Sequence, residues 1–266
     1  MVLQLRLFVI NYWVSKSYRV LYLGQEQAMK SIIGLDAFLA HCPNCEVLTV
    51  IAGDKRNLNT ENSTFHKLYK RVFDNFSVDF PFYSLEAHCI AKKIPFITME
   101  EPRKMELTQE CIDFKPDFLI SNGWGWIIPE SFLELPAIKA LNCHSSLLPF
   151  YKGPSVYQHV LMNFEKSTGL SVHALTHKID EGAIYAQKEV VIESGDTPSS
   201  LLYKLSKLSG EVIAEAMEAV VNEKEIVPNQ KGFYVKKSTT KAYVMYRTLN
   251  RLRLMLGMAP KRYLVK

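Results

Sequence analysis

The sequence contains no apolar run close to the ~20 residues that a membrane-spanning helix requires. Residues 1–14 are apolar but short, Arg6 interrupts them, and the small residues of a signal-peptidase site are missing. We therefore interpret residues 1–16 as an uncertain N-terminal extension, either a mis-assigned start or an added edge strand, and not as an export signal. The expected location is the cytoplasm, with peripheral binding to a membrane left open.

Cysteine is scarce, with five residues among 266. An odd number without an export signal indicates a reducing compartment and free thiols. The pair Cys42 and Cys45 has the spacing of zinc and redox sites. A zinc site needs a second pair at similar spacing, which the sequence lacks, and a redox pair precedes a helix, whereas this one follows a predicted helix. We therefore predict a loop between a helix and a strand here, and no metal.

Acidic residues are missing from residues 231–266, which contain 10 Lys and Arg. The preceding 230 residues contain 22 Lys and Arg against 27 Asp and Glu, so the overall charge of +5 arises entirely in this last segment. A charge asymmetry of this kind is typical of a surface that meets an anionic partner. The remaining composition, 48% apolar and 22% charged, is that of a globular protein with a sizeable core.

Short apolar runs alternate with segments of helical period after residue 17. This alternation predicts an α/β fold, a Rossmann-like, mostly parallel sheet with helices on both faces. Residues 54–82 are polar and irregular and are interpreted as an insertion with one helix near 65–73. The predicted strands are 19–23, 46–52, 94–97, 117–121, 139–143, 169–177 and 183–192. The other predicted helices are 25–39, 84–93, 105–114, 199–221 and 241–258.

The most informative motif, Asn142-Cys-His-Ser-Ser-Leu-Leu-Pro149, follows a predicted strand. Asn142 and His144 are two residues apart, so an extended chain points both side chains to the same face. About 35 residues later, Asp180 and Gly182 follow another predicted strand. Because ligands of parallel sheets bind beyond the strand ends, these three polar side chains are expected to converge on one carbonyl group.

These two motifs together resemble the signature of the folate-dependent formyltransferases, and the resemblance extends over about residues 18–221. It includes the segments 115–120 and 125–129, and Thr168-Gly169. The resemblance implies that Asn142, His144 and Asp180 are catalytic, that 10-formyltetrahydrofolate is the co-substrate and that no metal is needed. It also implies that the pterin contacts Trp126, Ile127 and Ile128 together with the backbone of His177, Lys178 and Ile179.

The chemistry agrees with these roles. Negative charge develops on the formyl oxygen when an amine attacks the formyl carbon, and the Asn142 amide and a protonated His144 could each donate a hydrogen bond to it. Asp180 should raise the pKa of His144 and take a proton from the amine. Taken singly, each residue has a structural interpretation: Asn142 as a loop cap, His144 as a core histidine and Asp180 as a turn residue. Ser146 is expected to order its loop.

His173 and His177 are expected to be structural strand residues. Trp124 and Trp126 fit the core as well as they fit a ligand site.

The amine acceptor is predicted from features that the sequence lacks. The loop 24–28 lacks the glycine-rich phosphate cradle expected for glycinamide ribonucleotide. Residues 17–225 are predicted to form the catalytic domain and residues 226–266 a basic extension, too short for the barrel that tRNA-directed relatives carry. A nucleotide-linked amino sugar is therefore the preferred acceptor. The alternatives are methionyl-tRNA, with a reduced C-terminal region, and a formyltransferase-like binding protein without turnover.

The predicted helix 241–258 allows three interpretations: packing of its apolar stripe on the body, binding to an anionic membrane surface, or contact with a nucleotide or tRNA. A homodimer is also left open.

Overall fold

The structure is a computed structural model that describes residues 17–53, 84–228, 230–259 and 261. The predicted N-terminal extension and the predicted helix near 65–73 lie outside the described residues.

Within the described residues, seven strands form one sheet with the order β3-β2-β1-β4-β5-β6-β7. Strands β1 to β5 are parallel to one another, whereas β6 pairs antiparallel with both β5 and β7. The predicted α/β class with a mostly parallel sheet is thus confirmed. The strands are β1 (Arg19–Gln25), β2 (Glu46–Ala52), β3 (Phe96–Met99), β4 (Phe118–Ser121), β5 (Lys139–His144), β6 (Ser167–Ala174) and β7 (Ile184–Val191).

Helices cover both faces of the sheet. They are α1 (Met29–His41), α2 (Leu85–Lys92), α3 (Gln109–Phe114), α4 (Glu130–Leu133), α5 (Val156–Met162), α6 (Pro198–Val221) and α7 (Thr240–Met255), with a 3₁₀ turn at Pro102–Lys104. Successive residues of β1 enter different cores: Val20 and Tyr22 pack with α1 and α6, whereas Leu21 and Leu23 pack with α3 and α4 on the other face. This alternation is what a strand buried on both faces requires.

Two predicted boundaries are wrong for identifiable reasons. The strand predicted to reach His177 ends at Ala174, because a tight loop begins there: a Cβ on Gly182 would lie 1.9 Å from the carbonyl oxygen of Ala174. The helix predicted from Met105 begins at Gln109, because the hydroxyl of Thr108 accepts a hydrogen bond from the backbone N–H of Cys111 and caps it.

No helix among the described residues is both long enough and apolar enough to cross a bilayer. The five cysteines are free thiols, and Cys42 and Cys45 lie in the turn between α1 and β2.

Candidate active site

Strand β5 places the first two polar groups. Asn142 and His144 lie on the same face of the strand, while the side chain of Cys143 between them points into the apolar core. His144 is buried, and its Nε2 lies 2.8 Å from the carbonyl oxygen of Tyr151. Because a carbonyl oxygen can only accept, Nε2 must carry the hydrogen, and the Nδ1 atom of a neutral ring is left with its lone pair.

Asp180 lies in the loop between β6 and β7, which folds back towards β5. Its backbone has a φ of 52°, an uncommon conformation for a residue other than glycine. The backbone N–H of Gly153 donates to Oδ2 of Asp180 over 2.7 Å. Gly153 itself has a φ of 103°, and a Cβ there would lie 2.5 Å from the carbonyl oxygen of Val235. Glycines at 153 and 182 therefore shape the two chain segments that hold this carboxylate.

The predicted trio is brought together in the structure. Oδ2 of Asp180 lies 3.5 Å from Nδ1 of His144, and Oδ1 lies 3.5 Å from Nδ2 of Asn142. The carboxylate thus stands between the amide and the imidazole, with only 9% of its side chain exposed.

A fourth group, His173, completes the cluster and was not assigned to it from the sequence. Its Nε2 lies 3.1 Å from Nδ2 of Asn142 and 3.4 Å from Oδ1 of Asp180. Its Nδ1 lies 2.8 Å from the carbonyl oxygen of Ala174, so Nδ1 is the donor and Nε2 accepts a hydrogen from the amide. His173 lies in a strand as expected, but its contacts with Asn142 and Asp180 were not predicted. The signal that could have revealed them is the antiparallel register, which places His173 directly opposite Asn142. His177, also expected to be a strand residue, lies in the loop after β6 with 71% of its side chain exposed, so that expectation is wrong.

Burial changes the expected charge of His144. Desolvation lowers the pKa of His144 and outweighs the opposing charge of Asp180, so that this pKa falls to about 4. Asp180 raises this pKa as expected, but less than burial lowers it, so the expectation of a protonated His144 is wrong and the ring is neutral near pH 7. Burial alone would raise the pKa of Asp180, but its contacts with His173, His144 and Gly153 prevail and bring it to about 2. Near neutral pH the pair is a carboxylate beside a neutral imidazole.

A buried lysine also stands near this cluster without having been predicted. Lys30 of α1 donates from Nζ to the carbonyl oxygen of Cys143, between the two polar residues of β5. Burial lowers the pKa of Lys30, while the charges of Cys143 and Asp180 oppose that shift. Its positive charge is one of the causes that lower the pKa of His144.

The loop after β5 is ordered by hydroxyl groups. Ser146 donates to the carbonyl oxygen of Phe150 over 2.8 Å, as expected for a residue that orders its loop. Ser171 of β6 accepts from the backbone N–H of Leu148 and donates to the carbonyl oxygen of Ser146. These bonds hold the chain between His144 and Tyr151 and thereby the carbonyl group that sets the tautomer of His144.

The residues predicted to contact a pterin lie on two loops, one after β4 and one after β6. Ile127 is 74% exposed and Ile179 is 52% exposed, which is unusual for large apolar side chains at the rim of a polar site. A contact of 3.2 Å between His177 Nε2 and Glu130 Oε1 joins the two loops. Trp126 and Ile128 are half-buried, and the Trp126 ring meets Trp124 edge-on at 5.7 Å. Lys178 is exposed beside Glu181.

Among the described residues, no group of three or more His, Cys, Asp and Glu side chains is arranged to hold a metal ion.

Comparisons with known proteins define the class. The family model described as formyl transferase matches residues 19–217, and the chain belongs to this family. It is 35% identical over 136 residues to the methionyl-tRNA formyltransferase of Dictyoglomus thermophilum, a match that covers 50% of this chain and 43% of the relative. The chain spans less than half the length of such curated relatives.

Solved structures share the fold. Glycinamide ribonucleotide transformylase 1 from Symbiobacterium toebii superposes with a TM-score of 0.56 at 17% identity, covering 81% of this chain and 92% of that one. A sugar 3N-formyl transferase, WlaRD, whose structure was determined in the presence of dTDP and 5-N-formyl-THF, superposes with a TM-score of 0.52 at 17% identity. That match covers 91% of this chain and 82% of WlaRD. The family predicted from the motifs is thus confirmed.

Proposed function

We propose that this protein transfers the formyl group of 10-formyltetrahydrofolate to a primary amine. The observation that carries the proposal is the position of the Asp180 carboxylate, 3.5 Å from both the Asn142 amide and the His144 imidazole. A half-buried donor, a buried base and a carboxylate with only 9% of its side chain exposed meet at one point. This arrangement suits an acyl transfer in which a developing charge must be stabilised and a proton transferred.

In the proposed reaction the amine nitrogen attacks the formyl carbon, and the former carbonyl oxygen becomes negatively charged. The Asn142 amide has two hydrogens. His173 accepts one of them at 3.1 Å and thereby orients the amide, while the other has only a long contact of 3.5 Å with Oδ1 of Asp180 and is donated to the formyl oxygen once the folate is bound. A donor held in place before the reaction stabilises the developing charge without reorganisation, an effect of about 3–4 kcal/mol.

The attack leaves an excess proton on the amine nitrogen. This proton passes to the space between Nδ1 of His144 and Oδ2 of Asp180, where the lone pair and the carboxylate charge both stabilise it. The same pair then returns the proton to N10 of the folate as the bond between N10 and the formyl carbon breaks. The products are an N-formyl amine and tetrahydrofolate, and the pair regains its starting charge.

We place the folate between the loops after β4 and β6. Exposed Ile127 and Ile179 supply apolar walls for the flat pterin, together with Trp126 and Ile128, and the backbone of His177 and Lys178 offers hydrogen-bonding groups. The two loops flank the catalytic cluster, so a folate bound there presents N10 towards Asn142.

For the acceptor we propose a nucleotide-linked amino sugar. The loop after β1, where a phosphate close to the amine would be bound, contains Glu26, whose carboxylate accepts from the Ser84 hydroxyl and from the backbone N–H of Glu86. A carboxylate in that loop repels a nearby phosphate. An acceptor whose amine is on a neutral sugar ring, with its phosphates further away, avoids this repulsion.

The test supplies 10-formyltetrahydrofolate with a panel of amines and follows the release of tetrahydrofolate. The panel contains nucleotide-linked amino sugars, the corresponding free amino sugars, glycinamide ribonucleotide and methionyl-tRNA. Turnover with a nucleotide-linked amino sugar supports the acceptor proposed here. Turnover with methionyl-tRNA alone would contradict the proposed acceptor. Folate binding without turnover of any amine would contradict the proposal that the protein catalyses formyl transfer.

A further inference from the structure

The C-terminal helix α7 packs on the body with its aromatic and polar side. Tyr243 and Asn250 are buried, at 4% and 1% exposure. Asn250 Nδ2 donates to the carbonyl oxygen of Met162 over 2.7 Å, and Arg247 Nη1 donates to that of Leu161 over 2.9 Å. Both acceptors lie in α5, so directional hydrogen bonds fix which side of α7 faces the body.

The opposite side of α7 is an exposed apolar stripe. Its four residues follow one another at intervals of four, three and four positions, which places them on one face of a helix. They are Met245, Leu249, Leu252 and Leu256. Their exposures are 47%, 48%, 52% and 75%, and the neighbouring Met255 is 83% exposed. A surface helix normally turns its apolar side inward, so an outward stripe of this length indicates a partner.

Basic side chains border this stripe. With about 100° of rotation per residue, Arg251 lies about 120° to one side of Met245 and Arg253 about 80° to the other. The segment 231–266 that contains the helix has 10 Lys and Arg and no Asp or Glu. An outward apolar stripe between long basic side chains is the arrangement of a helix that lies in the headgroup region of an anionic bilayer.

A cavity of about 150 Å³ lies between α7 and the residues that lead into α6, and the part of α7 that lines it includes Arg251 but no residue of the stripe. Arg247, Thr248 and Arg251 of α7 contribute to its wall, together with Thr197 at the start of α6. Asp196 also lines it, but this carboxylate is paired with Lys204 at 2.9 Å, so its charge is compensated. The cavity therefore offers guanidinium and hydroxyl groups to a phosphate beside the apolar stripe.

We propose that α7 docks on an anionic lipid surface, with the stripe in the boundary between headgroups and acyl chains and a headgroup phosphate near Arg251. Charge complementarity favours this occupant over a second copy, because two such helices would face each other with basic flanks and no acid to pair with them. A nucleic acid fits this surface less well than a lipid bilayer, because contacts with its phosphates would use the arginines but leave the apolar stripe in water. The proposal is independent of the acceptor of the formyl group.

The test is sedimentation of the full chain with vesicles of phosphatidylcholine containing about 30 mol % phosphatidylglycerol, and with vesicles of phosphatidylcholine alone. Binding is expected to anionic vesicles only and to weaken as salt increases. The double variant Leu249→Gln, Leu252→Gln should lower the partition coefficient about tenfold or more. Arg251→Gln should lower it about fivefold on anionic vesicles, for loss of one charge near the surface.

The matched control is Ile90→Gln, Val191→Gln, which changes two apolar side chains that are as exposed but lie elsewhere. It should bind vesicles like the parent protein. Formyl transfer in solution, or folate binding, should be the same in all variants, since none of these residues contacts the catalytic cluster. An unchanged circular dichroism spectrum should show that the stripe variant is folded.

Several results would overturn the proposal. These are equal binding to neutral and anionic vesicles, an equal loss in the control variant, and no sedimentation with lipid at all. A dimer in light scattering that the stripe variant dissociates would assign the stripe to a second copy. Binding to tRNA that the stripe variant abolishes would assign it to nucleic acid.

Discussion

The backbone N–H of Gly153 donates to Oδ2 of Asp180 over 2.7 Å and so ties the carboxylate of one loop to the backbone of another. Residues 233–235 pair with this second loop through the backbone of Lys152. The N–H of Lys152 donates to the carbonyl oxygen of Phe233, and its carbonyl oxygen accepts from the N–H of Val235. The basic C-terminal extension therefore supports the candidate site through the residues that precede its helix.

The loop around Asp180 depends on a glycine two residues later. Gly182→Ala would place a Cβ 1.9 Å from the carbonyl oxygen of Ala174, and the backbone must move to relieve the clash. We expect the free energy of unfolding to fall by about 2–3 kcal/mol and formyl transfer to fall with it. Urea denaturation followed by circular dichroism measures the first effect.

The control for this change is Gly195→Ala, because a Cβ at Gly195 meets no described atom within 4 Å. Its free energy of unfolding should stay within about 0.5 kcal/mol of the parent value. Equal losses in the two variants would show that the close approach at Ala174 does not shape the loop.

His173 should act as a positioning residue for Asn142. His173→Asn removes the ring nitrogen that accepts the amide hydrogen at 3.1 Å. We expect kcat to fall about tenfold or more, because the oxyanion donor loses its orientation, while KM for the folate changes little. Steady-state kinetics with both substrates separate the two constants. A rise in KM for the folate with an unchanged kcat would assign His173 to binding instead.

Protonation of His144 provides a test at low pH. Its pKa of about 4 lies below the usual value for histidine, so the folded state binds fewer protons here than the unfolded state. The resulting contribution to stability is complete above about pH 6.5 and is lost as the pH falls towards 4. Titration of the His144 ring by NMR should give a midpoint near 4. A midpoint above 6.5 would restore the imidazolium mechanism that the sequence suggested.

Lys30 should contribute to that low pKa. Its charge lowers the pKa of His144, so Lys30→Met should raise the NMR midpoint of His144. The same change leaves the carbonyl oxygen of Cys143 without its lysine donor, and circular dichroism controls for loss of the fold. The control is Lys92→Met, which changes an exposed lysine of α2 that is paired with Asp36 of α1. This variant should leave the midpoint of His144 unchanged. A midpoint that does not move in Lys30→Met would exclude this electrostatic role.

Some features of the site and of α7 could be predicted from the sequence, and others could not. Asn142 and His144 were predictable because alternation along a strand needs no tertiary information, and Gly182 was predictable from its motif. His173 was not, because its role depends on the register between β5 and β6. The neutral state of His144 was not predictable either, since it results from burial, which outweighs the charge of Asp180 and the hydrogen bond to Tyr151 that both favour the protonated ring. The stripe of α7 has the same spacing whether it faces the body or solvent. Its orientation depends on tertiary contacts, namely the burial of Tyr243 and the hydrogen bonds of Asn250 and Arg247.

The central claim is that one carboxylate, Asp180, serves both the amide and the imidazole. Asp180→Asn keeps the size of the side chain and an acceptor for the Gly153 N–H but removes the charge. Single-turnover formyl transfer, measured with folate bound in advance, should slow by about 10²–10⁴-fold. The Kd of the folate should stay within about twofold, because the side chain of Asp180 is not among the groups proposed to contact the pterin. Asp113→Asn, a change at an exposed aspartate of α3, should leave both unchanged. Formyl transfer at the parent rate in Asp180→Asn would contradict the account.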